Sequence, residues 1–309
     1  MNEQVTNILN QPITKTAKIQ QLLLLGLTRR QVADLVTNGN YGFVQNVYKK
    51  MLESGSFATP AATSEIIDYT FNRRFGIEIE AYNCNREKLA QELRDAGINV
   101  SVEGYNHTTR DHWKLVTDSS LTGNNTFELV SPVLQGEDGL HELRKVCWVL
   151  EYCNAKVNES CGLHIHMDAA DFTLETWKNL ALSYKNLESV IDAFMPESRR
   201  RNRYCKSLSS IQVGNIQQAQ NINELQRAFN CDRYHKLNIE AYSRHRTVEF
   251  RQHSGTTSFT KMENWIRFVA NMITFAHHGV ARRTELSDIP FLNGDQKIYF
   301  KLRTKKLAR

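Results

Sequence analysis

The stretch His235-Lys236-Leu237-Asn238-Ile239-Glu240-Ala241-Tyr242-Ser243-Arg244-His245-Arg246-Thr247-Val248-Glu249-Phe250-Arg251-Gln252 decides the class of fold. Two runs in it, 235–242 and 246–252, alternate apolar and polar residues with period two, and only three residues separate them. That period is the pattern of a half-buried strand, and so short a joint allows an antiparallel neighbour but not the crossover of a parallel pair. An α+β fold with an antiparallel sheet is therefore expected rather than a doubly wound one. Outward from this pair, the patterning predicts strands at 75–81, 98–103, 113–117, 126–131 and 161–168, and helices at 86–96, 138–153, 173–194, 221–229 and 260–278. No glycine-rich phosphate loop or internal repeat is present in the sequence.

Several of these strands place chemistry on one face. In Phe75-Gly76-Ile77-Glu78-Ile79-Glu80 the alternation sets Glu78 and Glu80 on one side and the two isoleucines on the other. Two like charges on adjacent sites repel, so the pair either faces water or, if buried, requires a cation, for which hard oxygen ligands suit Mg²⁺ or Mn²⁺. Cys161-Gly162-Leu163-His164-Ile165-His166-Met167 aims His164 and His166 in a common direction, as in a metal or phosphate site, whereas a lone histidine there would be a satisfied core residue. Thr247-Val248-Glu249-Phe250-Arg251 pairs Glu249 with Arg251, either as a structural ion pair or as part of the same site, and Phe127-Glu128-Leu129-Val130 adds Glu128. Lys236 and Asn238, with Arg244 and Arg246 beyond them, could reach this face and bind a phosphate or a substrate carboxylate. The run Arg199-Arg200-Arg201-Asn202-Arg203 reads as a basic loop, either solvated or meeting a nucleotide.

The flanks read differently. Residues 14–25 and 41–52 carry helical patterns, with a further helix capped by Thr28 between them, and together they describe a helix-turn-helix over 1–53, or else a helical cap packed on the main domain. From Ser54 to Ser64 the composition turns small and polar, which marks a linker over 54–68 ahead of a main domain at 69–285 and a basic tail at 286–309. The net charge of +6 is concentrated in the ends: six basic and three acidic residues fall in 1–53, eight and three in 282–309, so the body between them is −2. A polyanion, duplex DNA in particular, is thus expected to meet the ends. The apolar run Leu22–Leu25 is far too short for a membrane span and no basic leader precedes it, so neither a membrane nor a secretion signal is expected. Six cysteines without a C-x-x-C pair fit reduced thiols and a cytoplasmic setting.

In their order along the chain, Gly76-Ile77-Glu78-Ile79-Glu80, Glu128-Leu129-Val130-Ser131-Pro132, the Cys161–Met167 strand and Thr247-Val248-Glu249-Phe250-Arg251 resemble the amidoligase family, a branch of the glutamine synthetase and glutamate-cysteine ligase superfamily. The resemblance spans roughly residues 70–280 and covers neither end of the chain. It implies a glutamine-synthetase-like catalytic sheet with flanking helices. It also implies an ATP- and Mg²⁺- (or Mn²⁺-) dependent carboxylate-amine ligase that joins a carboxylate substrate to an amine donor through an acyl phosphate. On this resemblance Glu78, Glu80, Glu128, His164 and Glu249 would hold the metal ions, Arg251 would contact the transferred phosphoryl group, and His166 would sit beside the phosphates. Lys114 and Asp118, with Ser119, match a Lys and Asp that precede the Glu-Leu-Val-Ser-Pro strand, and His253-Ser254-Gly255-Thr256 also looks familial. Two other readings of the same residues are a metal-dependent phosphodiesterase or nuclease, and a DNA-binding regulator with a non-catalytic ligase-like body.

Overall fold

The structure is a computed structural model, and it describes residues 3–53 and 67–308. The chain divides into two compact units, Met1–Ile66 and Ile67–Arg309. The expected linker, apart from residues 67 and 68, lies outside the described residues.

The first unit contains helices α1 (Glu3–Asn10), α2 (Lys15–Leu24), α3 (Arg29–Val36) and α4 (Tyr41–Glu53). Local chemistry sets their ends. The Thr14 hydroxyl accepts from Ala17 N at 3.1 Å to start α2, and Gly26, at φ +90°, stops it where Leu27 N returns to Leu22 O. A capping box between Thr28 and Gln31 opens α3. Ile19, Leu22, Val32, Ala33, Val44, Val47 and Met51 close the small core.

In the second unit the elements run β1 (Arg74–Ala81), α5 (Arg86–Asp95), β2 (Val100–Val102), β3 (Trp113–Val116), β4 (Phe127–Val130), β5 (Leu134–Gln135), α6 (Gly136–Tyr152), β6 (Gly162–Asp168), α7 (Leu174–Ala193), α8 (Glu197–Arg200), α9 (Val213–Gln218), α10 (Ile222–Ala228), β7 (Leu237–Asn238), α11 (Ala241–His245), β8 (Thr247–Ser254), α12 (Phe259–Ala276) and α13 (Gly294–Leu307). Among the described residues one eight-stranded sheet has the order β2-β3-β4-β1-β6-β8-β7, with β5 paired to β1. Its one core face carries Ile77, Ile79, Leu129, Leu163, Ile165, Val248 and Phe250, which join α6, α7 and α12 in a single cluster. No helix among the described residues is long and apolar enough to cross a membrane, and all six cysteines are free thiols.

Two expectations change. The sheet is mixed, because β2 runs parallel to β3 (Val100↔Trp113, Val102↔Leu115). A loop of residues 103–112 carries the chain back between them, and the Lys114 ammonium holds it by donating to Asn106 O, Asn106 Oδ1 and Thr108 O at 3.0, 2.9 and 2.8 Å. The expected strand 235–242 pairs with β8 only through Leu237↔Phe250 and Asn238↔Glu249. Residues 241–245 then make one helical turn, and Arg246 adopts the left-handed conformation (φ 57°, ψ 29°) before β8 begins. Alternation of apolar residues cannot distinguish the end of a strand from a turn in which Ala241 is buried and Tyr242 packs against the core. Much of the basic tail at 286–309 is helical: α13 starts with an Asn293–Gln296 capping box, and its Phe300 packs 4.4 Å from the Phe194 ring.

Candidate active site

The face of the sheet opposite the helices gathers the alternating polar residues. Cross-strand register does the assembling: Glu80 stands opposite Glu128, Glu78 opposite His164, and His166 opposite Glu249, which is itself opposite Asn238. His164 Nδ1 lies 3.0 Å from Glu78 Oε2 and 3.7 Å from Glu249 Oε1, while its Nε2 is 3.7 Å from Glu80 Oε1. His166 Nε2 is 3.4 Å from Glu78 Oε1, and its Nδ1 is 2.9 Å from the Thr247 hydroxyl. Asn238 Nδ2 donates to Glu249 Oε2 at 2.6 Å, and the Arg251 guanidinium pairs with the other Glu249 oxygen.

A β-bulge shapes one end. Between Leu163↔His253 and Ile165↔Phe250 the strand β8 carries an extra residue, so Arg251 stays on the polar face while the Gln252 amide turns inward to Tyr184 and Asp192. Arg199 secures the bulge from below by donating to Arg251 O at 2.6 Å. Gly162 sits in the same knot: a Cβ there would come within 2.9 Å of His164 Nε2, 3.0 Å of the Arg199 guanidinium and 3.3 Å of Glu80, whose Oε2 already accepts from Gly162 N. Any larger residue would have to push these side chains aside.

The electrostatics are unbalanced in one place. Burial, and after it the carboxylates of Glu78, Glu80, Asp118 and Glu249, push the Glu128 carboxyl well above its ordinary value. Glu128 has no hydrogen-bond or ion-pair partner among the described residues. For Glu78 burial works the same way, but hydrogen bonds from His164 and His166 outweigh it and hold the carboxyl well below the usual range. A divalent cation would neutralise what Glu128 faces, and the donor atoms fit one. Three groups each bring their ligand atoms within 4.8 Å of one another, namely Glu78–His166–Glu249, Glu78–Glu128–His164 and Glu80–Asp118–Glu128. Oxygen donors with one imidazole are a set that Mg²⁺ or Mn²⁺ accepts.

All of these residues line one cavity of about 740 Å³. Its opposite wall includes Arg233, Arg244, Tyr204 and Tyr234. The two tyrosine rings meet edge to face at 5.8 Å. Arg251 approaches the Tyr234 ring at 5.7 Å and donates to Tyr204 O at 3.0 Å. The sequence reading missed Tyr204, Tyr234, Arg233 and His245; the one signal for the first three was the dipeptide Arg-Tyr, at Arg203-Tyr204 and again at Arg233-Tyr234.

Three expected contributors go elsewhere. Lys236 is fully buried outside the cavity and donates to Glu188 Oε1 and Asp192 Oδ1 at 2.7 and 2.6 Å, because strand β7 begins only at the next residue. Lys114 holds the 103–112 loop rather than facing the cavity. Arg246 lies over the Tyr242 ring at 5.0 Å and lines a neighbouring hollow. Arg199, read as part of a basic loop, does line the cavity, as a buried strut.

The polar face of the sheet, with its carboxylates, two histidines and an arginine, thus lines one large cavity. A family model described as putative amidoligase enzyme matches residues 71–273, and the chain belongs to that family, an enzyme family of the ligase type. No curated protein matches the chain.

Proposed function

We propose that the chain is an ATP-dependent carboxylate-amine ligase that forms an amide or peptide bond through an acyl phosphate. The observation that supports this most directly is the meeting of seven candidate metal ligands, Arg251 and an arginine- and tyrosine-lined wall in one cavity of about 740 Å³, a size ordinary for a nucleotide-bearing site. Glu78, Glu80, Asp118, Glu128, His164, His166 and Glu249 would hold Mg²⁺ or Mn²⁺, which when bound neutralises polyphosphate charge and polarises the phosphoryl group.

The chain's own residues do the rest. Arg233 and Arg244 draw the polyphosphate in, and Tyr204 and Tyr234 offer ring faces to the base. A substrate carboxylate oxygen attacks the γ-phosphorus as the bond to ADP breaks, and Arg251, fixed by Glu249 and Tyr204 O, meets the charge on the transferred group. The amine nitrogen then attacks the acyl carbon, the bond to phosphate breaks, and the amine surrenders a proton. His245 is our candidate to take it: burial first, then the neighbouring His166, hold its imidazole below the ordinary value.

The test is incubation of the full chain with ATP, Mg²⁺ and pooled carboxylates and amines. ADP release that requires both substrates, with a product lighter than their sum by one water, is the expected result. ADP release without either, or cleavage of added DNA with no condensation, would replace the ligase with a hydrolase.

The first unit carries the proposal's second part, binding of duplex DNA through a helix-turn-helix. Near the start of α4, Asn40 caps the helix by accepting from Phe43 N, and Gln45 accepts from Arg29 at 2.7 Å, so Tyr41 and Asn46 are the exposed candidates for reading bases. Lys18 donates to Leu9 O. Lys15, Arg30, Lys49 and Lys50 are exposed. About four phosphate contacts predict a log–log salt slope of roughly −3 to −4, measurable by fluorescence anisotropy of a labelled duplex. A flat salt response would remove DNA as the partner.

A further inference from the structure

Beside the large cavity lies a second hollow of about 350 Å³ that shares Glu78, His107, Glu128, His166 and His245 with it. Its remaining wall is unlike the first. Val130, Pro132 and Val133 give it an apolar side, and three cations reach it: Arg74, Lys114 and Arg246.

Two of these cations are already satisfied. Arg74 pairs with Asp168 at 3.1 Å, and Lys114 spends its ammonium on the 103–112 loop. Arg246 has no hydrogen-bond or ion-pair acceptor for its guanidinium among the described residues, and is held only over the Tyr242 ring at 5.0 Å. The corner that carries it sorts the basic residues between the hollows. Arg244 lines the larger one, Arg246 the smaller one and His245 both.

The left-handed turn at Arg246 produces this sorting, and the surrounding backbone enforces it: Arg246 N donates to Tyr242 O at 3.1 Å, and its carbonyl accepts from Ala169 N at 3.0 Å. An L-residue other than glycine adopts this conformation at a cost, and where such strain occurs it points to use of the side chain. Glycine would make the turn freely, so the guanidinium is what arginine adds.

We infer that the smaller hollow seats the amine donor, and that the donor is an α-amino acid with an aliphatic side chain. Arg246 takes its free carboxylate, Val130, Pro132 and Val133 face its side chain, and its amine points to the wall shared with the larger cavity. A planar guanidinium grips a carboxylate through two hydrogen bonds, which neither an amide nor a bare amine can reproduce. The inference rests on the ligase reading for the role of the amine, but the seat itself is a binding property.

Calorimetric titration of the full chain with L-valine, L-isoleucine, L-leucine and L-leucinamide tests it. At least one of the three free amino acids should bind saturably, and leucinamide, which keeps the amine and loses the carboxylate, should bind about tenfold more weakly than leucine or worse. Arg246→Gly, which relaxes the turn and so folds, should abolish the preference for leucine over its amide while leaving ATP affinity within about twofold. Arg244→Gln should weaken ATP and leave the amino acid untouched. No saturable amino-acid binding, equal binding of leucine and its amide, or an unchanged preference in Arg246→Gly would each overturn the proposal. If the wild-type chain bound amino acids through Arg246 but failed to bind ATP, the ligase reading would fall while the seat remained.

Discussion

On the helix-covered face of the central strands, Ile77, Ile79, Leu163, Ile165, Val248 and Phe250 are buried to within about one per cent. One residue along in each strand, Glu78, Glu80, His164, His166, Glu249 and Arg251 occupy the other face, half-buried or buried as well. The two faces come from one backbone and one period, yet their energetics are opposite. The apolar face gains from every methylene it removes from water. The polar face removes charge from water, and its carboxylates raise one another's proton affinity, most plainly at Glu128. The face that stabilises the unit therefore holds in place a face whose carboxylates repel one another.

Substitutions on the two faces should separate activity from stability, and the largest effect falls on the polar side. Glu128→Gln keeps the shape and removes one charge from the crowd. Turnover should drop to background in an ADP-release assay while circular dichroism is unchanged, and retained turnover would take Glu128 out of the site. Arg251→Lys should lower kcat about a hundredfold, because a point charge does not replace the fork that Glu249 and Tyr204 O orient. An unaltered kcat would make Arg251 purely structural. Gly162→Ala should cost about tenfold, by pushing His164 and Arg199 aside, with kcat more affected than KM.

On the apolar side the pattern reverses. Ile165→Ala should destabilise by about 2–5 kcal/mol in urea titration and leave the turnover of the folded fraction intact. An activity loss as large as that of the charged-face variants would break the division between the faces. The smallest effect concerns pH. Burial, with Arg303 nearby, depresses the His253 imidazole from 6.5 to about 3. The folded state thus refuses a proton that the unfolded chain accepts, so the contribution of His253 is intact above about 6.5 and is lost as the pH falls toward 3. Thermal melts of His253→Gln and wild type should accordingly draw closer at pH 4.5 than at pH 7.5, and parallel curves would assign the acid sensitivity to other groups.

How much of this was legible in the sequence follows from what a period can carry. Strict alternation in β1, β4, β6 and β8 places Glu78, Glu80, Glu128, His164, His166 and Glu249 on one face, and the register of the sheet brings them together as the alternation implies. The failures lie where the chain leaves a strand. Lys236 shares parity with Asn238, but it precedes β7 and turns to Glu188 and Asp192 on α7. The αL corner at Arg246 and the bulge after Arg251 each reset the phase by a local backbone event with no alternation of its own. Tyr204, Arg233 and Tyr234 reach the cavity from loops, where contacts are set by tertiary packing and no periodicity exists to read. The parallel pairing of β2 with β3 is of the same kind, since it depends on how Lys114 pins a loop.

On the proposed function, the polar face is a cation site whose repulsion is relieved by binding. Melting temperatures of wild type and Glu128→Gln, each measured in EDTA and in Mn²⁺, test this most directly. In EDTA the variant should melt at or above wild type, because a repelling charge is gone. In Mn²⁺ wild type should rise and overtake it. A variant that melts below wild type in EDTA, or a wild type that does not respond to Mn²⁺, would contradict the account.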